Sequence, residues 1–427
     1  MKKLILLLSL SISITFGQQV TGYYPTWWYG SVKATDFDIS SLNNIILFSA
    51  QDAMSYSPYF TPGDSIAITA DNGATMKALI SGAHAVGTKI LISVTGGYGQ
   101  GNMPIVAADA VKCSTFVANA CACAKARGLD GIELDWEFPR VADSKGWNQL
   151  IRMFRQTLDT WTPKGIMMTS VNYVSPNTPP YYKDSMMVFD QILHMSYTMW
   201  LGATQVSPYK SGFDTPVKVP TQFSGYTGTS LPMSGLKDWI TAGYPKSKMS
   251  VGISFESSVF SGVTTMGQSY SSYQFGSSAT QCFSGSYPSV PTSGRNYDTT
   301  AQSAYCINGG KVYSYEDTNS VRAIVKWAKD NGYTNIMVYD FPVGLEKSIT
   351  PHDNLLKVLA RETRSGSVTP PPVPLDTAGT WLRIYLSGYN AKICPVCPVI
   401  DTASIRAQGI KQGEGEFILD PPSYHKQ

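Results

Sequence analysis

The chain has 427 residues, of which 15% are charged and 12% aromatic, and its net charge is +3. A charge content this far below the ~25% of ordinary soluble domains, joined to so many rings, excludes a disordered chain. The near-neutral balance without a dense Lys/Arg run argues against a nucleic-acid binder, and the length fits two or three domains or one large α/β barrel with insertions.

The chain opens MKKLILLLSLSISITFGQQV. Lys2 and Lys3 form a basic start, residues 4–16 an apolar core, and Thr15 and Gly17 sit at the −3 and −1 positions of a cleavage site. This is the pattern of a secretory signal peptide over 1–17. The apolar core is too short to span ~30 Å of hydrocarbon as a membrane anchor. The expectation is an exported chain with no membrane attachment after cleavage.

Eight short apolar, β-rich runs follow: 20–24, 44–50, 89–94, 131–137, 166–173, 190–197, 249–255 and 334–341. Apolar positions at helical spacing mark 106–127, 146–160 and 319–331, the last stopped by Gly332. Near-continuous apolar strands alternating with helices indicate a parallel sheet, and eight of them indicate a closed (β/α)8 barrel over 18–362. An open doubly wound sheet is the other arrangement, but no glycine-rich phosphate loop follows the first strand. Between the seventh and eighth runs lies a long Ser/Gly/Tyr/Thr-rich stretch, 256–317. A structureless loop of that length is improbable in a compact domain, so an inserted α+β subdomain is expected there, walling one side of the barrel mouth.

Seven cysteines suit an oxidising compartment. Cys282 and Cys306 flank one stretch and are expected to bridge. Cys113, Cys121 and Cys123 share one helix pattern as buried thiols, and Cys394 and Cys397 form a C-x-x-C read as a local disulfide. A Pro-rich linker is expected over 363–378, and 379–427, with Trp381, Tyr385 and Tyr389, form a C-terminal extension of unassigned role.

The most informative stretch is Asp130-Gly-Ile-Glu133-Leu-Asp135-Trp136-Glu137-Phe-Pro. Alternation puts Glu133, Asp135 and Glu137 on one face of the fourth strand and Ile132, Leu134 and Trp136 on the other. In a parallel barrel the apolar face packs under the helices, so the acidic face turns toward the axis. Glu137, last on the strand, lies nearest the C-terminal mouth, where barrel chemistry occurs. Inward Lys or Arg partners are nearly absent from the other strands, and no His accompanies the acids, so neither a salt-bridge network nor a metal site is expected. Side chains two residues apart start only about 7 Å apart, so Asp135 and Glu137 cannot flank a ligand from opposite sides.

This stretch resembles the D-x-x-D-x-D-x-E signature of family 18 glycoside hydrolases, the chitinases and their relatives. Ser93-Val-Thr-Gly96-Gly97 is similar to the family's S-x-G-G after strand three, Met195-Ser-Tyr197 to its M-x-Y on strand six, and 248–255 to its strand seven. Tyr315-Glu-Asp317 and Met337-Val-Tyr339 resemble the run into strand eight, and the insertion resembles that of deep-cleft members. The resemblance covers about 20–362.

The resemblance implies that Glu137 is the general acid. Asp135 orients the substrate's 2-acetamido group, whose oxygen attacks its own anomeric carbon, and Tyr197 hydrogen-bonds that oxygen. Glu133 and Asp130 complete the catalytic set. It further implies substrate contacts at Tyr24, Trp136, Gly96, Gly97, Met195, Trp200 and Tyr339, although parity turns Trp136 outward. The expected substrate is chitin or N-acetylglucosamine oligosaccharides, cut by an endo-acting, retaining chitinase that works as a monomer, without metal or cofactor. An endo-β-N-acetylglucosaminidase acting on N-glycans and a non-cutting lectin are the alternatives. Glu133 replaces the usual Asp, Thr198 a usual Asp or Asn, and Tyr339 a usual Trp.

Overall fold

The computed structural model describes residues 17–28, 31–48, 74–95, 102–172, 181, 183–197, 210–218, 232–278, 290–291, 293–345 and 355–364, with short strands at 384–385, 411–413 and 416–418. The expected signal segment up to Phe16, nearly all of the linker, Gly96, Gly97, Thr198, Trp200, Cys282, Cys394 and Cys397 lie outside these residues.

All eight apolar runs become barrel strands: β1 Gln19–Pro25, β2 Asn44–Phe48, β3 Lys89–Thr95, β4 Gly131–Asp135, β5 Ile166–Val171, β6 Gln191–His194, β7 Met249–Ser254 and, after the insertion, the eighth at Asn335–Tyr339. They close in the order β1, the eighth strand, β7, β6, β5, β4, β3, β2, every neighbour parallel. Strand four therefore faces strand eight across the barrel. Helices cover the outside. In Ser144–Asp159 the buried Trp147, Leu150, Ile151, Phe154 and Leu158 recur at helical spacing, and in Thr318–Asp330 Val321, Ile324, Val325 and Ala328 do so. Both faces join one large core with the outward strand residues. Gly332 ends the second helix with φ +74°, a conformation that glycine adopts without steric cost.

One expected helix is two. The 106–127 pattern resolves into Met103–Ala108 and Ala110–Ala126, because Asp109 leaves helical geometry and its carboxylate accepts from the amides of Val111 and Lys112. Cys113, Cys121 and Cys123 are buried free thiols on the longer helix.

The barrel interior is layered. At the bottom Thr21, Asn44, Gln191 and Asn335 form a buried polar floor. Asn44 donates to Thr21 at 2.9 Å, Thr21 to Gln191 at 3.2 Å, and Gln191 to Asn335 at 3.1 Å. Above it Ile46, Leu91, Met168, Leu193 and Met337 make an apolar belt, joined by Tyr23. The acids of β4 emerge above that belt.

The insertion starts at β8 Glu256–Ser261 and continues through β9 Ser272–Ser278, β10 Arg295–Asp298, β11 Ser303–Asn308 and β12 Lys311–Tyr315; the eighth barrel strand is therefore β13. These form a five-stranded antiparallel sheet in the order β10-β11-β12-β8-β9. Among its described residues there are strands and no helix, so the α+β expectation holds only for the strands. Phe260, Val263, Met266, Ala301 and Val312 give the subdomain its own small core, and Phe213, from the 210–218 segment, is part of it. Cys306 is a free buried thiol 3.3 Å from the carbonyl of Ser293, contrary to the expected bridge. The chain separates into two compact units, 1–369 and 370–427. The second contains a three-stranded antiparallel sheet of Ile384–Tyr385, Lys411–Gly413 and Glu416–Ile418.

Asp130 is the clearest correction to the expected catalytic set. It sits just before β4, at the end of the barrel remote from the mouth. Its carboxylate accepts from the Ile90 amide at 2.9 Å, pairs with Lys89 at 3.2 Å and lies 2.9 Å from His84 Nε2. It fastens β4 to β3 and to the helix before β3, Ala74–Val86. Asp130→Ala is expected to lower unfolding free energy by about 1–3 kcal/mol in urea titration, because it strips the Ile90 amide and the Lys89 ammonium of their acceptor, while oligosaccharide binding persists.

Candidate active site

On β4 the alternation holds. Ile132, Leu134 and Trp136 are buried in the outer core, and Glu133, Asp135 and Glu137 take the other face. Trp136, a candidate sugar contact, lies 5.9 Å from Trp147 under the helices and does not reach the mouth. Tyr24 fails for the same reason: it is fully buried on the outside of β1, where its hydroxyl donates to the Val32 carbonyl. The neighbouring Tyr23 points into the barrel instead. A one-residue step along a strand exchanges the two faces.

Register then places Ser93 of β3 beside Glu133, with Ser170 of β5 on the same inner face. Ser170 donates to Glu133 Oε1 at 2.9 Å, and Tyr23 lies 2.6 Å from Ser170. Because Ser170 has spent its one proton on Glu133, Tyr23 donates to Ser170, which makes a relay Tyr23→Ser170→Glu133. Glu133 is fully buried, and its other oxygen has no hydrogen-bond partner among the described residues. Burial pushes its carboxyl up to about 7 against the pull of the Ser93, Ser170 and Tyr23 hydroxyls, with Glu137 adding repulsion. Glu137 is half-buried at the mouth, and burial raises its carboxyl too. Asp135, buried between them, is paired with the end of β3.

The mouth is walled by rings. Tyr197, after β6, stacks on Tyr339 at 6.2 Å and 22°. Tyr339 in turn meets Tyr23 and Phe48 edge-on at 5.7 Å each. Exposed Trp27 continues the series against Phe48 at 5.9 Å. Met195 is half-buried on the inner belt below Tyr197. Burial holds the Tyr197 phenol well above its ordinary value, reinforced by the carboxylates of Glu137, Asp135, Asp214 and Glu256, so it remains an O–H donor.

Of the expected residues, the structure thus gathers Glu133, Asp135, Glu137, Tyr197, Met195 and Tyr339 at one mouth. It adds Tyr23, Ser170, Phe48, Glu256 and Asp214, which sequence reasoning passed over. Parity along β1 and past β7 singles out Tyr23 and Glu256. Asp214 carries no sequence signal. Its segment is held by the insertion, through its amide to Ser314 at 2.8 Å and the Val217 amide to Ala301 at 2.8 Å. Among the described residues, neither Glu133, Glu137 nor Glu256 has an ion-pair partner, and no group of three or more His, Cys, Asp or Glu is set to hold a metal ion.

An eight-stranded parallel barrel with a carboxyl triplet on its fourth strand, opening among stacked tyrosines, defines a (β/α)8 barrel with its titratable acids gathered at one mouth. The chain belongs to glycosyl hydrolases family 18, which it matches over residues 19–342. It is 23% identical over 304 residues to a probable endochitinase of Caenorhabditis elegans, covering 64% of this chain and 48% of that protein. The chain thus spans about half the length of that relative. Among solved structures it is similar to the Group IV chitinase of Ostrinia furnacalis, with TM-score 0.65 at 18% identity, over 81% of this chain and 99% of that one. Human YKL-39, described as a pseudo-chitinase with retained chitooligosaccharide binding, is equally similar in fold, with TM-score 0.65 at 17% identity, over 81% of this chain and 99% of that one.

Glu133 generates a stability prediction. A carboxyl held protonated to about 7 when folded, but ionising near ~4.3 when unfolded, binds more protons in the folded state between those values. Its contribution is therefore lost as pH rises through that window. Glu133→Gln imitates the protonated form at every pH. It should match the parent near the bottom of the window and exceed it above neutrality, by on the order of 3 kcal/mol. Thermal melts of both proteins across this range check the crossover; a constant offset would contradict the assignment.

Proposed function

We propose that this chain is an endo-acting chitinase that works outside the cell and hydrolyses β-1,4 bonds between N-acetylglucosamine units with retention. The observation that carries the reading is the carboxyl triplet on one face of one strand, with Glu137 outermost. Family membership and the names of the relatives point the same way.

The geometry favours substrate assistance. Ordinary two-carboxylate hydrolysis needs acids on opposite faces of the sugar ring. Asp135 and Glu137 leave the same face of the same strand, so neither can attack from opposite the leaving group while the other protonates it. The 2-acetamido oxygen, already tethered to the sugar, supplies the nucleophile, and such tethering can be worth about 7–11 kcal/mol of barrier. In this mechanism the raised Glu137 carboxyl protonates the departing glycosidic oxygen, since an acid must still hold its proton when the bond breaks. Asp135 orients the acetamido group and offsets the oxazolinium charge. The protonated Tyr197 phenol donates to the acetamido oxygen as it closes on the anomeric carbon. Water then opens the oxazolinium, with Glu137 taking back the proton. Tyr339, stacked on Tyr197, offers the floor on which the reacting sugar rests.

A non-cutting lectin is the second reading, favoured by Tyr339 at the position of a usual Trp and by the fold likeness to a pseudo-chitinase. Glu137→Gln separates the two. For the hydrolase, the variant loses ~10²–10⁴ in rate on chitin oligomers and keeps oligosaccharide binding, because the amide removes the proton and preserves the shape. A parent that binds oligomers by calorimetry but releases no shorter product is the lectin.

Substrate assistance has its own test. NMR of the first-formed product should show the β-anomer, and a fully deacetylated oligomer should resist cleavage under conditions that consume the acetylated one. Equal turnover of the two, or an initial α-anomer, would exclude the mechanism.

A further inference from the structure

Strand alternation does not stop at the end of β7. Val251, Ile253 and Phe255 pack in the outer core, so Gly252, Ser254 and Glu256 take the inner side. Gly252 lies under Tyr197: a Cβ there would sit 3.1 Å from the Tyr197 ring. Ser254 is in register with Tyr339, and the Phe255 amide donates to the Tyr339 carbonyl at 2.7 Å. Glu256, the first residue of β8, is therefore the next inward residue after Ser254, one step above the Tyr197–Tyr339 stack. Strands seven and eight lie across the barrel from β4, so Glu256 confronts the Asp135–Glu137 wall over the mouth.

Its backbone is secured, with the Glu256 amide donating to Ser254 Oγ at 3.2 Å. Its side chain is half-buried, and among the described residues its carboxyl has no hydrogen-bond or ion-pair partner. The groups around it are phenols and acids. Tyr339 and Tyr197 lie below, and Asp340, fully buried, accepts hydrogen bonds from Trp28 Nε1–H at 3.1 Å and the Val343 amide at 3.0 Å. Burial among them pushes the Glu256 carboxyl up to about 7. A partly dry carboxyl whose described neighbours are acids and rings is completed by a cation, because a cation offsets its desolvation. A neutral sugar brings no such offset.

We propose that Glu256 is a specificity-determining residue of this mouth, where it selects β-1,4-linked oligosaccharides that carry a free 2-amino group on a sugar next to the acetylated one that reacts. The preferred polymer is then partly deacetylated chitin. The inference rests on the proposed chitin-directed function, and it keeps the acetamido requirement at the reacting sugar. The ammonium of the adjoining glucosamine donates to the Glu256 carboxylate. Binding such a cation favours the ionised carboxylate, so complex formation releases protons from Glu256 near neutral pH.

The test compares two probes, a fully acetylated hexamer and a partly deacetylated hexamer. Calorimetry in the non-turnover Glu137→Gln background, near neutral pH and low salt, reads both affinities. The partly deacetylated hexamer should bind ~tenfold tighter, as one charge-assisted hydrogen bond allows, and the advantage should shrink with added salt. Adding Glu256→Gln should bring the ratio of affinities to about one, whereas Glu256→Asp should retain part of it. Thermal melts confirm that each variant is folded. A ratio that survives Glu256→Gln, or no preference to begin with, overturns this assignment and leaves the chitinase reading standing. A protein that binds neither hexamer overturns both.

Discussion

Everything at this mouth depends on three carboxyl groups leaving one face of one strand into a space with little water. An ion moved from water into a protein interior costs several kcal/mol unless its surroundings replace the lost hydration. Among the described residues, Glu133 and Glu137 have no cation to do so. Hydroxyls substitute at the bottom of the triplet, where Tyr23 and Ser170 form a donor chain to Glu133. The outcome is a graded column, its deepest acid held protonated by burial to about 7 and its outermost acid raised but reachable from the mouth. The layers beneath belong to the same arrangement. The apolar belt of Ile46, Leu91, Met168, Leu193 and Met337 separates the acids from the polar floor and keeps the local dielectric low, and that low dielectric is what displaces the carboxyls.

The insertion does more than raise a wall. It starts directly from β7 and returns into the helix before β13, so it joins the barrel between its seventh and eighth strands. It also captures the segment after β6. Phe213 fills the insertion's own core, and the Asp214 amide is tied to Ser314. Asp214 consequently stands near enough to Tyr197 to act on its phenol, although sixteen residues of chain, 198–213, separate the two. Barrel and insertion are thus coupled at the residue proposed to hold the acetamido oxygen.

Where the chain departs from the usual family pattern, the neighbours accommodate the change. Glu133, one methylene longer than the usual Asp, reaches the Ser170 hydroxyl on the adjacent strand. Tyr339, smaller than Trp, is steadied by three rings: Tyr197 stacked upon it, and Tyr23 and Phe48 edge-on. Edge-to-face and offset contacts of this kind are worth about 0.5–1.5 kcal/mol each beyond burial, so the platform is preorganised.

The sequence by itself determined the barrel and the acidic strand, because both are written in local periodicity. Apolar runs separated by helical patterns specify strands and covering helices, and alternation within 130–139 specifies which residues face the axis. Local pattern also contained the break at Asp109, as a capping residue followed by two free amides, and the parity that prefers Tyr23 to Tyr24. Asp130 shares a motif with the acids but not their place, since it precedes the strand and binds the Ile90 amide at the far end. That was decided only when β3 and β4 paired. The relay from Tyr23 through Ser170 to Glu133 joins residues more than a hundred positions apart, and Asp214 reaches Tyr197 only because a separate sheet holds its segment. Barrel closure brings strand eight opposite strand four and sets Tyr339 beside Ser254 at the mouth; no periodicity along the chain encodes distances across a closed sheet, because those are set by strand order and register.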